Sequence, residues 1–271
     1  MTTSYPLYRM ASELAGAAIV VEYAVSDGQT SRMWLPSSED VRKLQVADVV
    51  LFNGAGYEPW AQTLSLPRSR IVDTSSSFRD KLLQVADAVT HQHGPVGQRS
   101  DRETIPTIWL DPELAAAQLR RVEEQLLRLA PDAADAISQR TIAFSNTFDQ
   151  LDQQLQQLAN DSAGDTITVL TDGTDFHYLT TRLGWKAHLI QWSDGGVLTQ
   201  ETLDDIKSTS PQLILIRTDC SENRMEILQA TGMTCVAVDT CESVMLGADS
   251  ATSLVARMSA NLDRLRAGLE R

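Results

Sequence analysis

Few side chains in this sequence are suited to coordination or covalent chemistry: it holds four histidines and three cysteines. Cys220, Cys235 and Cys241 fall within 22 residues of one another, yet no spacing among them is that of a C-x-x-C metal or redox pair. They read as small buried hydrophobes, one pair of which an oxidising compartment would bridge. His188 lies inside a strand-like run and reads as core, and His177 falls on a short helix. His91 and His93 sit in a polar stretch broken by Gly94-Pro95 and Gly97, which reads as a solvated loop. Gly54-Ala55-Gly56 follows a strand but lacks the third glycine of a dinucleotide fingerprint and the lysine of a phosphate loop. No Ser/His/Asp or Cys/His set carries a local signature, so no catalytic residue is nominated and no enzyme is expected. Asp172, Ser193 and Asp219-Cys220 follow strand-like runs directly, the place where α/β sheets present groups to a cleft.

The elements that position these residues alternate. Ala18–Val21, Val49–Phe52 and Ile71-Val72 are apolar, β-branched runs in the first half, and the chain itself opens on a strand-like Thr2-Thr3-Ser4-Tyr5. Ser37-Ser38-Glu39-Asp40 opens a helix, with carboxylates in the first turn where the helix dipole favours them. The second half repeats this grammar at Ile167–Leu170, His188–Ile190, Leu213–Ile216 and Cys235–Val238, apolar on both faces as a parallel sheet covered by helices requires. Between the halves, Ile137, Phe144, Phe148, Leu151, Leu155 and Leu158 step by 7, 4, 3, 4 and 3, the trace of one helix face. At ~1.5 Å per residue that helix runs roughly 33 Å, the height of two lobes. A helix over Pro112–Leu129 precedes it across Pro131, and Val255, Met258, Leu262, Leu265 and Leu269 give a C-terminal helix its buried stripe. The expected fold is α/β: two Rossmann-like lobes with parallel sheets joined by one long rigid helix. The expected divisions are an N-terminal lobe over 1–130, a bridging helix over 131–160 and a C-terminal lobe over 161–271.

With 36 acidic against 23 basic side chains the net charge is −13, which repels a phosphate backbone, so nucleic acid is not an expected partner. The acids are spread along helices and read as a solubilising surface. No run approaches the ~18 to 20 apolar residues of a membrane-spanning helix. The start on a strand-like segment suggests a leader trimmed before Met1.

Motifs along the whole chain carry a resemblance. Pro36 to Trp60, reading PSSEDVRKLQVADVVLFNGAGYEPW, is similar to a pattern in which a Pro-headed helix leads to "ADLVFYNG" and then "EPW". Trp109-Leu110-Asp111-Pro112 resembles "WLDP", and Asp239 followed by Gly247, Met258, Asn261 and Leu262 resembles a C-terminal "D…G…M…NL". Together with Thr3-Ser4-Tyr5-Pro6-Leu7 these pieces stand in the order seen in the zinc/manganese solute-binding proteins of ABC importers, the TroA-like family. The resemblance implies a metal held between two lobes, delivery to a cognate ABC permease in the membrane, a periplasmic or extracytoplasmic location and a monomeric chain.

Here the sequence departs from that pattern. The family binds its ion with three histidines and a carboxylate. Aligned on the motifs, Arg32, Thr107 and Gly173 stand where the histidines belong, and Asp239 alone matches. One carboxylate does not hold a transition metal tightly, and a cation such as Arg32 opposes a divalent ion by several kcal/mol where solvation is poor. The segment His91-Gln92-His93-Gly94-Pro95 resembles the family's histidine-rich loop, with Arg99 and Asp101 where further histidines would stand. The resemblance therefore leaves His91, His93 and Asp239, helped by Asp101 or His177, as the candidate metal ligands. The cargo expected is weakly bound zinc or manganese (nickel also suits the loop), or no metal and another small solute. In the second case Arg32 is expected to pair with Asp239 across the cleft and replace the metal as the link between lobes. A scaffold that keeps the fold without a ligand is the alternative.

Overall fold

The computed structural model describes residues 1–25, 29–85, 104–161, 167–193, 196–243 and 253–270. His91, His93, Arg99, Asp101 and Gly247 lie outside these residues.

The first surprise is at the N-terminus. Thr2, in the run that reads as strand, makes single parallel bridges to Tyr23 and Leu51, and from Tyr5, the last residue of that run, the chain turns into a helix, α1, over Tyr5–Ala15 that the sequence reading does not expect. The cause is local: the Ser4 hydroxyl accepts from the Leu7 N–H, and Pro6 sits in the first turn, where its missing N–H costs nothing. Ala18–Val21 forms no strand, and the extended chain pairs only at Tyr23. The helix expected from Ser37 onward is α2, Ser38–Val46, closed by a reciprocal box in which Ser37 and Asp40 cap each other's backbone. Strands β1 (Val50–Phe52) and β2 (Ile71–Asp73) pair in parallel and complete the N-terminal sheet.

Helix α3, Pro112–Leu129, is capped by Asp111, whose carboxylate accepts from the N–H groups of Glu113 and Leu114. A 3-10 turn at Pro131–Ala133 separates it from α4, Ala134–Asp161, which is 28 residues long and therefore spans about 42 Å. Its buried stripe is Ile137, Thr141, Phe144, Phe148, Leu151, Leu155 and Leu158, the face expected from the spacing with Thr141 added.

The C-terminal sheet has order β4-β3-β5-β6, all parallel, from β3 (Thr168–Thr171), β4 (Lys186–Leu189), β5 (Leu213–Arg217) and β6 (Cys235–Val238). Helices α5 (His177–Arg182), α6 (Gln200–Thr209) and α7 (Glu222–Gln229) connect them, and α8 (Leu254–Leu269) closes the chain. Helix α8 lies so close to β6 that a Cβ on Gly268 would meet Val236 Cγ2 at 2.5 Å.

One continuous apolar cluster joins Leu7 and Leu14 of α1, Leu119 and Val122 of α3, the α4 stripe, Met258 and Leu262 of α8, and Leu213 and Val236 of the C-terminal sheet. Helix α4 thus packs against α1 and α3 of one lobe and α8 of the other. Two smaller clusters cover the outer faces of the sheets, one around Trp34, Phe52 and Trp60 and one around Leu170, Ile214 and Leu228. Among the described residues no helix is long and apolar enough to cross a membrane.

Candidate functional site

In the C-terminal sheet the chain leaves β3 toward β4 on one side, and β5 lies on the other. The C-terminal ends of β3 and β5 are therefore a topological switch point, where open α/β sheets leave a crevice. The residues just past three strands line up there: Asp172 to Asp175 after β3, Arg217 to Asp219 at the end of β5, and Asp239 to Glu242 after β6. The N-terminal lobe faces them with the turn carrying Arg32, with Tyr57 after β1, and with Thr107 ahead of the 3-10 turn Ile108–Leu110.

These residues close into a ring of charge. Arg32 Nη2 donates to Asp175 Oδ1 at 2.9 Å and to Glu242 Oε1 at 3.1 Å. Arg217 Nη1 donates to the other oxygens, Asp175 Oδ2 at 3.0 Å and Glu242 Oε2 at 2.6 Å. Each carboxylate thus bridges one arginine from each lobe, and both carboxylates are almost wholly buried, at 8% and 2% exposed. Arg217 is held from behind by a bidentate pair to Asp219, Nε at 2.8 Å and Nη2 at 3.0 Å. Burial works against the charge of both guanidiniums, but the facing carboxylates outweigh it and raise both pKa values. Two hydrogen bonds reinforce the junction: Thr107 Oγ1 donates to the Asp175 carbonyl and Trp109 Nε1 to the Thr240 carbonyl, each at 2.8 Å.

Behind the ring, polar atoms are left over. Among the described residues, Arg32 Nε, the Tyr57 hydroxyl and the Tyr23 hydroxyl are buried without a hydrogen-bond partner. The Arg32 guanidinium stands 5.8 Å from the centre of the Tyr57 ring. Burial, then the charge of Glu242, pushes both phenols above their ordinary range.

The pairing expected from the sequence is not the one found. Arg32 does not meet Asp239. Both Asp239 carboxylate oxygens are taken by Arg257 of α8, Nε at 2.7 Å and Nη2 at 2.8 Å, and the Cys241 N–H adds a third bond at 2.8 Å. Asn261 fixes the Asp239 backbone from both sides, its Oδ1 accepting from the N–H and its Nδ2 donating to the carbonyl, each at 2.8 Å. Asp239 is held by its own lobe because Arg257 lies one helix away, while Arg32 finds carboxylates that project further toward it. The four aligned positions nevertheless come together. Arg32 and Thr107 both bind Asp175, a Cβ on Gly173 would stand 4.0 Å from Asp175 Oδ2, and Asp239 begins the turn that presents Glu242.

Among the described residues no group of three or more His, Cys, Asp or Glu side chains is arranged to hold a metal ion. Asp175, Glu242 and Asp239 are each engaged by guanidinium, so their donor set does not suit a transition metal. His177 Nδ1 lies 3.0 Å from the Thr174 carbonyl, and burial lowers its pKa, which fits a neutral imidazole donating that bond. His188, expected in the core, is half-buried on the edge strand β4. Cys241 is fully buried, and Cys220 and Cys235 are half-buried, all as free thiols.

Next to the ring a cavity of about 600 Å³ opens between the lobes, lined among others by Arg32, Asp172, Arg217, Asp219, Arg224 and Glu242. Asp172 and Asp219-Cys220, expected to face a cleft, do so. Ser193 is not part of this lining, and its hydroxyl accepts from the Val197 N–H at 3.3 Å. Asp175, Arg217, Glu242 and Arg224 were not singled out from the sequence. The available signal is position for three of them, since Asp175 and Glu242 follow β3 and β6 by four residues and Arg217 ends β5, whereas Arg224 lies within α7.

The model of one family, described as the periplasmic component A of the zinc-uptake complex (ZnuA), matches residues 1–268. The zinc-binding lipoprotein AdcA of Streptococcus pneumoniae strain R6 is 25% identical over 191 residues, covering 69% of this chain and 37% of AdcA. The chain therefore spans little more than a third of that relative's length. The manganese ABC transporter substrate-binding lipoprotein PsaA of Streptococcus pneumoniae is 20% identical over 279 residues, covering 100% of this chain and 88% of PsaA. The solved structure of the metal-dependent lipoprotein YcdH from Bacillus subtilis superposes with a TM-score of 0.81 at 19% identity, covering 98% of this chain and 97% of YcdH. At that identity the superposition speaks for the fold.

Proposed function

Since this chain belongs to the ZnuA family of periplasmic zinc-uptake components, we propose that it is the substrate-binding component of an ABC importer. It works outside the cytoplasm as a monomer that hands its cargo to a membrane permease, and it is not an enzyme. The match to a manganese ABC transporter substrate-binding lipoprotein along the whole chain supports this reading. So does the packing of α4 against helices of both lobes, and the proposed divisions are an N-terminal lobe over 1–130, a bridging helix over 131–160 and a C-terminal lobe over 161–271.

Within that reading the family's metal site is degenerate. One observation carries this: the ring of Arg32, Asp175, Arg217 and Glu242 fills the interlobe position with two guanidinium groups. A divalent ion would have to displace both from buried carboxylates while facing their charge, and unlike charges in such surroundings are tightly coupled. Arg32, Thr107 and Gly173 offer no imidazole, and Asp239 is committed to Arg257. What metal affinity remains belongs to His91 and His93, which hold zinc or manganese weakly if at all.

Isothermal titration with Zn2+ and Mn2+ tests this. No sub-micromolar binding is expected, and any weaker zinc binding should disappear in His93→Ala. Sub-micromolar binding that survives His93→Ala and is lost in Asp239→Ala would overturn the degenerate-site reading.

A further inference from the structure

The cavity beside the charge ring has unused hydrogen-bonding capacity of both signs. Arg224 lies with its guanidinium 4.7 Å from the centre of the Trp192 ring. Its Nη1 donates to Asp172 Oδ1 at 3.3 Å, the same oxygen that receives Trp192 Nε1 at 2.7 Å. Trp192 and Asp172 thus fix Arg224 from two directions and build a stiff wall. Among the described residues the Nε and Nη2 of Arg224 have no partner. Opposite, the ring engages only Nη2 of Arg32, and among the described residues its Nη1 has no partner. On the acceptor side, among the described residues Asp172 Oδ2 has only the weak contact of the Cys220 thiol, at 3.8 Å, and the Asp219 carboxylate, paired with Arg217, is still 67% exposed.

The lining therefore carries three guanidiniums, Arg32, Arg217 and Arg224, against three carboxylates, Asp172, Asp219 and Glu242. A bare dication meets the guanidiniums and a simple anion meets the carboxylates. A solute with both charges a few ångströms apart meets a complementary partner for each, the arrangement that gives selectivity in a charged cleft. A cavity of about 600 Å³ is within the range of small-molecule sites.

We propose that this cavity takes a small zwitterion of the α-amino-acid class. Its carboxylate bridges Arg224 and Arg32 across the lobes, and its ammonium group is held by Asp219 and Asp172. The proposal rests on the importer-receptor reading and names the cargo class of the same cleft.

The test is thermal denaturation and calorimetry of the purified chain with each of the common L-amino acids in turn, and with succinate, putrescine and Zn2+ as probes that carry charge of one sign only. At least one amino acid is expected to raise the melting temperature and bind. Arg224→Ala and Asp219→Asn are each expected to weaken that binding roughly ten- to a hundredfold, as loss of one charged hydrogen-bond partner does, with unchanged circular dichroism. Succinate, putrescine or zinc binding where no amino acid does would overturn the zwitterion class and leave the receptor reading standing. Amino-acid binding that both variants leave intact would overturn the placement of the solute in this cavity. Binding of none of these probes would overturn the zwitterion class and leave the receptor reading standing on the family match.

Discussion

Asp239 shows how a residue's type and its duty come apart. The resemblance read from the sequence implies a metal ligand at this position, and in the fold it is a fixed structural anion, gripped by Arg257 and by the backbone of its own turn. Its place just after an apolar strand is legible in the sequence; its partner is not, since the choice between Arg32 and Arg257 depends on how α8 packs on β6. The same limit hid the partners of Arg32, which lie 143 and 210 residues away along the chain. Glu58, in the Glu-Pro-Trp motif, is a second buried carboxylate with a structural duty. It accepts from Thr3 Oγ1 at 2.6 Å and from the N–H groups of Asn53 at 2.8 Å and Gly54 at 3.2 Å, tying the N-terminus to the turn after β1. Burial outweighs these bonds and lifts its pKa to about 7. A carboxyl whose pKa is higher folded than unfolded favours the folded state while protonated in it. Its contribution is full below about pH 4.5 and is lost as pH rises to about 7, on the order of 2–4 kcal/mol for this one group. Urea denaturation at pH 4.5 and pH 8 should show this decline, and Glu58→Gln should flatten it; an equal slope in both proteins would remove Glu58 as the cause.

Among the elements, those with long periodic patterns were read correctly and those decided by a single cap were not. The α4 stripe was visible because six apolar residues keep to one helical face over about six turns, and Phe144 stacks on Phe148 with ring centres 5.1 Å apart. The α3 bounds were visible because Asp111-Pro112 and Pro131 mark them. Helix α1 is not legible: Thr2-Thr3 and Tyr5 favour extended chain, and the cap signals, Ser4 inside that run and Pro6 directly after it, are short. Ala18–Val21 failed in the opposite sense, since an apolar β-branched run has the composition of a strand but found no partner before Tyr23. Because α4 packs on both lobes through one stripe, truncating that stripe should loosen the whole chain. Phe148→Ala is expected to cost roughly 3–5 kcal/mol in a single cooperative transition by calorimetry. Two separated transitions would mean that the lobes fold independently of the helix.

At the scale of the whole molecule, two lobes on one long helix are held together at their open side by ion pairs and a few hydrogen bonds. Arg32 supplies the whole N-lobe share of the ring, and its removal should free the turn around it. Arg32→Ala is expected to lower stability by about 1–2 kcal/mol, since the side chain is partly exposed, and to speed amide hydrogen exchange at Thr30–Trp34 and at the Thr240–Ser243 turn; protection unchanged in both turns would mean that the ring does not join the lobes. The central claim is that two guanidinium groups occupy the place where a receptor of this family would bridge its lobes with an ion. The most direct measurement is a crystal grown with excess zinc and recorded at the zinc absorption edge. The claim requires no anomalous peak among Arg32, Asp175, Arg217, Asp239 and Glu242, with the two arginines still bridging the two carboxylates. A well-occupied zinc peak coordinated by Asp175, Glu242 or Asp239, with Arg32 swung away, would contradict it.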